Sequence, residues 1–347
     1  MKKYLIGIGL LVSLVGLTAW NLTRSDALGF ARQAYARGEL ASCLQYALDH
    51  LDRRPWSHEA VLLVARCLSR LDYADAAEPY YKRAGRLDLN DLHIRAFGLV
   101  RANHRQRAIE AYEQILACWP DNVTALRRLA AVQFTQKNAP QLEALANRLI
   151  QTPHGAVIGY TLQGAVAHSD KDYERAVLAF EHVLEHDPEL RVMPLPQQIF
   201  WSDLAEDLIK LGRHADASRY LTHALNGNPD PVLMDILGRA YLLQGAFDES
   251  ARCFQQAAQW DPSDYVPLLQ LGKVELQRQQ PKRAKEYLEA AHKLAPQRLD
   301  VLDSLARTHR LLGQPTEAVR VERLMNELRQ KARSARDPKK PWPEYAL

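Results

Sequence analysis

The arrangement in this chain best suited to chemistry is His182 with His186, four residues apart in the segment EHVLEHDP and flanked by Glu181 and Glu185. Side chains at i and i+4 share a helix face and can chelate a metal together. Zinc sites, however, take three or four protein ligands. Two ligands without a third read as a solvated helix face, with a small-ligand or metal carrier as the lesser alternative. The four cysteines, Cys43, Cys67, Cys118 and Cys253, show no CxxC spacing and read as small apolar core residues. Cys43 and Cys67 fall on adjacent predicted helices, so a disulfide is geometrically conceivable if their Cβ atoms align. No Gly-rich phosphate loop, HExxH or nucleophile elbow occurs. A formal net charge of +4 on 347 residues is mild, without the concentrated basic face of a nucleic-acid binder. The expectation is a protein that is not an enzyme, with no cofactor, no metal and no nucleic-acid partner.

Recognition by charge is the stronger prospect. Arg239, Lys273 and Arg307 follow one another at intervals of 34 residues, and Arg310 lies one helical turn beyond Arg307. If units of that length stack, the three cations form a row able to receive an acidic peptide or a carboxylate. The opposing reading is compensation within each helix. Asp235 lies four residues before Arg239 and Asp303 four before Arg307, the favourable order for a helical ion pair. Lys273 has Leu269 in that place and is the least neutralised.

The elements that position these residues are set by a repeat. Segment 231–264 reads PVLMDILGRAYLLQGAFDESARCFQQAAQWDPSD; Gly238 returns 34 residues later as Gly272 and then as Ala306, and Pro262 returns as Pro296. A fixed period of this length marks a helical hairpin copied and stacked. Slot 8 of successive units holds Ala31, Val64, Ala96, Ala130, Gly164, Ala205, Gly238, Gly272 and Ala306. Slot 20 holds Cys43, Ala76, Ala108, Leu142, Ala176, Ala217, Ser250, Ala284 and Ala318. Two helices approach closely where both are small, so these slots form the crossing point. Slot 24 carries Phe180, Leu221, Phe254 and Leu288, expected to fill the space between one hairpin and the next. Prolines close units at Pro55, Pro120, Pro153, Pro188, Pro229, Pro262 and Pro296. Pro281 and Pro315 fall at slot 17, where a second helix begins and proline is tolerated.

The pattern of small residues at slots 8 and 20, an aromatic at slot 24 and proline at slot 32 resembles the tetratricopeptide repeat family. Gly238, Tyr241, Gly245, Phe247, Ala257 and Pro262 also match it. Nine units start near Arg24, Ser57, Leu89, Val123, Val157, Gln198, Pro231, Tyr265 and Leu299, so the resemblance covers roughly residues 24–332. It implies an all-α solenoid of about nine hairpins wound into a right-handed superhelix, with slots 2, 5, 9, 12 and 13 of the first helices lining a concave groove. On that implication His93 and Phe97 of the third unit, Arg127 and Phe134 of the fourth, and the row Arg239, Lys273, Arg307 and Arg310 line a groove for a protein or peptide. The lysine and asparagine with which some relatives clamp a C-terminal carboxylate are missing from slots 5 and 9. Three departures stand out: Pro79 inside the second unit, which predicts a kinked or short helix; Leu142 at a slot that wants a small residue; and an insertion, RVMPLPQ, at 191–197.

Residues 1–23 precede the repeats. Lys2 and Lys3 lead into an uncharged run at 4–20, with Tyr4 and Trp20 at its ends. A run of about 17 apolar residues reaches the lower limit for spanning a bilayer, and aromatic ends suit its interfaces. The reading is an uncleaved transmembrane anchor, with a cleaved signal peptide as the alternative. The repeats are expected outside the cytoplasm, because a basic head before an apolar run is the secretory pattern; a cytoplasm-facing orientation is the alternative. The expected organisation is anchor 1–23, repeats 24–190, insertion 191–197, repeats with a capping helix 198–332, and a basic, proline-rich tail 333–347 carrying Trp342 and Tyr345. The whole reads as a membrane-anchored scaffold that binds a protein or peptide in its groove, or else as an accessory assembly subunit of an envelope enzyme or secretion complex.

Overall fold

The computed structural model describes residues 26–134 and 139–335. Among them are eighteen α-helices and no strand. They pair as nine successive hairpins: α1 (Ala27–Ala36) with α2 (Leu40–Arg53), α3 (His58–Arg70) with α4 (Ala74–Ala84), α5 (Leu89–Arg101) with α6 (Arg105–Cys118), α7 (Val123–Phe134) with α8 (Ala139–Gln151), and α9 (Ala156–Ser169) with α10 (Tyr173–His186). There follow α11 (Gln197–Lys210) with α12 (His214–Ala224), α13 (Pro231–Gln244) with α14 (Phe247–Trp260), α15 (Tyr265–Gln277) with α16 (Pro281–Leu294), and α17 (Leu299–Leu311) with α18 (Pro315–Ala335). The chain divides into two compact units, Met1–Leu162 and Gln163–Leu347, and the division falls within α9.

The expected phase of the repeat is the observed one. Leu89, Val123, Pro231, Tyr265 and Leu299 each open a first helix, and Pro281 and Pro315 open second helices. Pro79 sits inside α4, which runs for only 11 residues. The turn within a hairpin demands a left-handed residue. Glycine meets this at Gly245 (φ 79°), where the N–H groups of Gly245 and Ala246 close onto the carbonyls of Leu242 and Tyr241. Asp72, Asn103, Lys171 and Gln279 adopt the same conformation without being glycine, at φ between 60° and 70°; such residues carry a strain of about 1–2 kcal/mol each.

Slot 24 fills the space to the next hairpin, as expected: the Phe180 ring centre lies 5.2 Å from that of Phe200 on α11, Phe254 packs with Leu271 and Val274 of α15, and Leu288 with Val301 and Leu305 of α17. The same side chains also seat on slot 8 of their own hairpin, which the repeat alone did not reveal. A Cβ built on Gly238 would lie 2.7 Å from the Phe254 ring, one on Gly164 would lie 2.4 Å from Phe180, and one on Gly272 2.5 Å from Leu288. All three slot-24 side chains are fully buried. The small slot-20 residue completes the crossing: the buried Ser250 hydroxyl donates to the Gly238 carbonyl at 2.8 Å. The ring occupies the space that a slot-8 side chain would need.

In the first unit, neighbouring hairpins are locked by buried charge. Asp91 of α5 is 1% exposed and accepts from Arg66 of α3, at 2.5 Å from Nε and 3.1 Å from Nη2. Close by, a Cβ on Gly98 would meet the Ser69 carbonyl oxygen at 2.9 Å, so α3 and α5 touch backbone to backbone. Cys43 and Cys67 are both fully buried, are free thiols and hydrogen-bond to each other. In the second unit, the insertion is folded by one carboxylate: the buried Asp187 accepts the backbone N–H groups of Arg191, Val192 and Met193 at 2.8–3.1 Å. Gln197, assigned from sequence to the insertion, is the first residue of α11.

Among the described residues no helix is long and apolar enough to cross a membrane. The apolar run 4–20 lies outside the described residues, as do Trp342 and Tyr345.

The glycine–ring contact makes an unusual demand. In an open helix Gly→Ala gains about 1 kcal/mol. Gly238→Ala should instead lower stability, by about 1–3 kcal/mol, because the methyl must displace a packed ring. Phe254→Ala should cost about 3–5 kcal/mol. Urea unfolding followed by circular dichroism reads both; a stabilised Gly238→Ala protein would refute the packing.

Candidate functional site

The residues proposed from sequence fall into two sets, one in each compact unit. In the first unit, His93 and Phe97 lie on α5 and Arg127 and Phe134 on α7. His93 is half-buried; its Nδ1 has no hydrogen-bond partner among the described residues, while the ring engages Asn122. Burial, and then the nearby Arg128 cation, hold its pKa below the ordinary histidine value. Phe97 is 39% and Phe134 47% exposed, and Arg127 is exposed. The contact that sequence reasoning missed is Arg128, whose guanidinium lies 4.5 Å from the centre of the Phe97 ring. Arg128 is one residue past the slot assigned to the groove, and its long stem folds back over the ring.

In the second unit the cation row is present but unevenly charged. Arg239 of α13 is held twice, by Asp235 of its own helix at 3.1 Å and by Glu206 of α11 at 3.2 Å. Glu206 occupies slot 9, so the row begins with an acid: Glu206, Arg239, Lys273, Arg307. Reading the slot one unit further back would have revealed it. Lys273 is half-buried and close enough to act on the Asp235 carboxylate. Arg307 is exposed, and no ion pair joins it to Asp303 among the described residues. Arg310 is tied to Glu322 of α18, the second helix of its own hairpin.

A group of acids beneath the start of this row was not foreseen. Asp207 of α11 is 0% exposed and accepts from His168 Nδ1 at 2.8 Å, while its Oδ2 has no partner among the described residues. His168 Nε2 is 3.8 Å from Asp203. The Asp207 hydrogen bond, then its charge and those of Asp203 and Glu206, hold the His168 pKa above its ordinary value. Asp203 is itself pushed up, first by burial and then by Asp207 and Glu206. Slot 10 holds Val132, Val166, Ala240 and Val274 in the neighbouring and following units, and Gln33, Arg66, Gly98 and Thr308 in the rest, so the one acid there was the available signal.

Asp203 and Glu206, but not Asp207, border a recess of about 580 Å³ formed by α11, α13, the end of α14 and the start of α15. Asp203, Glu206, Asp235 and Asp264 line it, with Arg239 the only cation among its lining residues. Asp235 is raised above the usual carboxylate range, chiefly by burial, and its Oδ1 is without a partner among the described residues. A larger recess of about 660 Å³ lies among α12, α13 and α14 and includes Cys253. Burial pushes that thiol up to about 11, so it is not a ready thiolate nucleophile. His182 and His186 are committed locally: His182 Nδ1 pairs with Glu185 at 2.8 Å and His186 Nδ1 with the His182 carbonyl at 2.8 Å. No group of three or more potential metal ligands occurs among the described residues.

Nine hairpins, each with its first-helix face lined by the same slots, define a helical-repeat protein. Residues 98–156 and 202–265 match the model of the tetratricopeptide repeat family. Among solved structures, YrrB, described as a tetratricopeptide repeat protein with an unusual peptide-binding site, is similar at 19% identity over 56% of this chain and 98% of its own, with a TM-score of 0.50. MamA is similar at 19% identity over 53% and 98%, with a TM-score of 0.44. A tetratricopeptide repeat protein from Parabacteroides merdae is similar at 15% identity over 73% and 98%, with a TM-score of 0.46. Nothing among the curated proteins matches the chain in sequence.

The His168 cluster gives the fold a pH dependence of fixed sign. A histidine whose folded pKa is raised stabilises fully below its unfolded value, near pH 6.5, and the contribution is lost as pH rises through the folded pKa. The stability gap between wild type and His168→Gln should therefore be widest in mild acid and shrink as pH rises through the raised pKa. Urea midpoints across that range check this, with an NMR titration of His168; a gap that widens with pH would contradict it.

Proposed function

We propose that this chain is a non-catalytic scaffold, tethered to a membrane through residues 4–20, whose first-helix face binds an extended segment of a protein partner. The observation that carries the reading is the recurrence of exposed apolar side chains at groove slots of first helices. Phe97 and Phe134 provide them in the first unit; in the second, slot 2 of α11 and α13 provides Ile199 at 43% and Val232 at 51% exposure. Exposed apolar groups at repeated positions are what a partner's side chains would cover. The stack offers many modest contacts along a helix face, as repeat proteins do, and YrrB provides a precedent for a peptide site on this type of fold. The cation row contributes through Lys273 and Arg307, since Arg239 is already neutralised from two sides. An accessory role for an envelope enzyme is the same binding with an enzyme as the partner.

A photocrosslinking residue at position 97 or 232, in the full chain in its native membrane, should trap the same polypeptide. The same residue at Arg252, exposed on a second helix, should trap none. Equal yields at all three positions would remove the groove from consideration. Membrane tethering is tested separately. The full chain should resist alkaline extraction from membranes, and a variant lacking residues 1–23 should be released; a full chain that washes off would remove the anchor.

A further inference from the structure

A recess of about 270 Å³ lies between the third and fourth hairpins, within the first unit, bordered by α5, the turn after it, α6 and α7. Val100 and Ala131 on its border occupy slots 12 and 9, both assigned to the groove, so it adjoins the face proposed for a partner. Its lining holds two arginines, Arg105 and Arg128, with the turn residue Asn103 and the ring of Tyr112, and it holds no acid.

Arg128 is an exception among its kind. Five other arginines are half-buried among the described residues: Arg66, Arg95, Arg107, Arg239 and Arg278. Each has a carboxylate within salt-bridge distance, on Asp91, Glu78, Asp75, Asp235 and Glu275 in turn. Arg128 is half-buried too, yet it makes no ion pair among the described residues and lies instead over the Phe97 ring. A guanidinium partly withdrawn from water loses hydration that an anion would replace.

An independent feature lies on the same lining. Tyr112 is 0% exposed, and its hydroxyl has no hydrogen-bond partner among the described residues. A buried hydroxyl left unpaired is costly. Burial holds the Tyr112 pKa up, with the Arg128 cation acting against it, so the group is a protonated donor beside a positive charge.

Arg105 adds to the demand. It is exposed, has no ion pair among the described residues, and is the first residue of α6. The positive end of a helix dipole disfavours a cation there and favours an anion. No side chain caps that end: His104 makes no capping bond and pairs instead with Asp75, which also holds Arg107. Two guanidinium groups and a hydroxyl donor without an acceptor form the donor set of a carboxylate site.

We propose that this recess receives the side-chain carboxylate of an aspartate or glutamate in the partner segment, paired with Arg128 and Arg105 and accepting from the Tyr112 hydroxyl. Phe97, 39% exposed beside Arg128, covers a neighbouring apolar residue. The site rests on the reading of the first-helix face as a groove for an extended segment, and it gives that segment an acid in register with the third and fourth hairpins. It uses slots 6, 17 and 24, not the slots 5 and 9 at which some relatives clamp a C-terminal carboxylate.

Two measurements on the full chain in detergent separate the recess from the groove. In the first, the chain is panned against random short peptides closed by a C-terminal amide, and enriched peptides are remeasured by fluorescence polarisation. They should share an aspartate or glutamate. Replacing that acid by its amide should weaken binding about tenfold, Arg128→Gln should do the same, and both changes together should cost little more than either. Should Arg128→Gln alter the circular dichroism, Arg105→Gln, at an exposed position, takes its place with the same expectation. Peptides that bind without a shared acid would overturn the site and leave the groove standing. Tighter binding with phosphoserine in place of the acid would assign the recess to a phosphate and overturn the carboxylate. In the second, N-acetylglutamate α-amide is titrated while the Tyr112 ring is followed by NMR in chain carrying carbon-13-labelled tyrosine. It should shift Tyr112 in wild type but not in the arginine variant, and the N-acetylglutamine amide should shift it in neither. Equal shifts from acid and amide would overturn the site whether or not any peptide binds. A shift specific to the acid with no peptide enriched would uphold the carboxylate site and remove the groove.

Discussion

A ring seated on the bare backbone of a glycine sets the spacing within a hairpin. Phe180 over Gly164 and Phe254 over Gly238 are the same contact in the fifth and seventh hairpins, and Leu288 takes the ring's place over Gly272 in the eighth. Each brings two helices close enough for a slot-20 residue such as Ser250 to reach the opposite carbonyl. With that spacing fixed, the first helix turns a constant set of slots away from its partner. The faces discussed above are what remains after the hairpin has buried the rest. Position by position the sequence varies widely, but the sum of volumes at slots 8, 20 and 24 cannot, because close-packed interiors leave no room for either an extra methyl or a void.

Contacts between consecutive hairpins are made differently and carry the charge pattern. In the first unit a buried pair, Arg66 with Asp91, joins α3 to α5; breaking such a pair strands a charge and costs about 3–5 kcal/mol. In the second unit the corresponding junctions are less balanced. Glu206 crosses to Arg239, His168 crosses to Asp207, and three buried carboxylate oxygens, on Asp207, Asp235 and Glu275, are left without donors among the described residues. The imbalance gives the second unit its acidic recess, and it turns a row that reads as cationic in sequence into one that starts with an acid. Charge on a repeat face is thus a property of neighbouring rungs together, since each cation is neutralised as readily by the preceding unit as by its own helix.

The sequence came close to the site without reaching it. Arg239 and its partner Asp235 were legible, because i,i+4 pairing is a local geometric consequence of the helix. The second partner, Glu206, was legible in principle, being 33 residues away at the same slot of the preceding unit. Arg128 over Phe97 was not, since the slot rule describes where Cα–Cβ bonds point and a long arginine stem can fold back across a neighbouring rung. Asp207 was visible as the one acid at slot 10, which holds valine or alanine in four other units, but its partner, His168, lies on another hairpin.

By itself the sequence determined the number of hairpins, their phase, their turns and the residues at their crossing points. These follow from a period repeated many times, and each copy corrects errors in reading the others. It also determined that chemistry by metal or nucleophile has no recognisable motif here. The tertiary structure decided what the period cannot specify: that slot 24 closes its own hairpin, which rungs neutralise each other, and where acids collect without partners. The physical reason is range. Backbone conformation and small-residue crossings are fixed by residues within one repeat, whereas electrostatic balance and the shape of a recess are sums over side chains from three or four helices, brought together only when the hairpins stack.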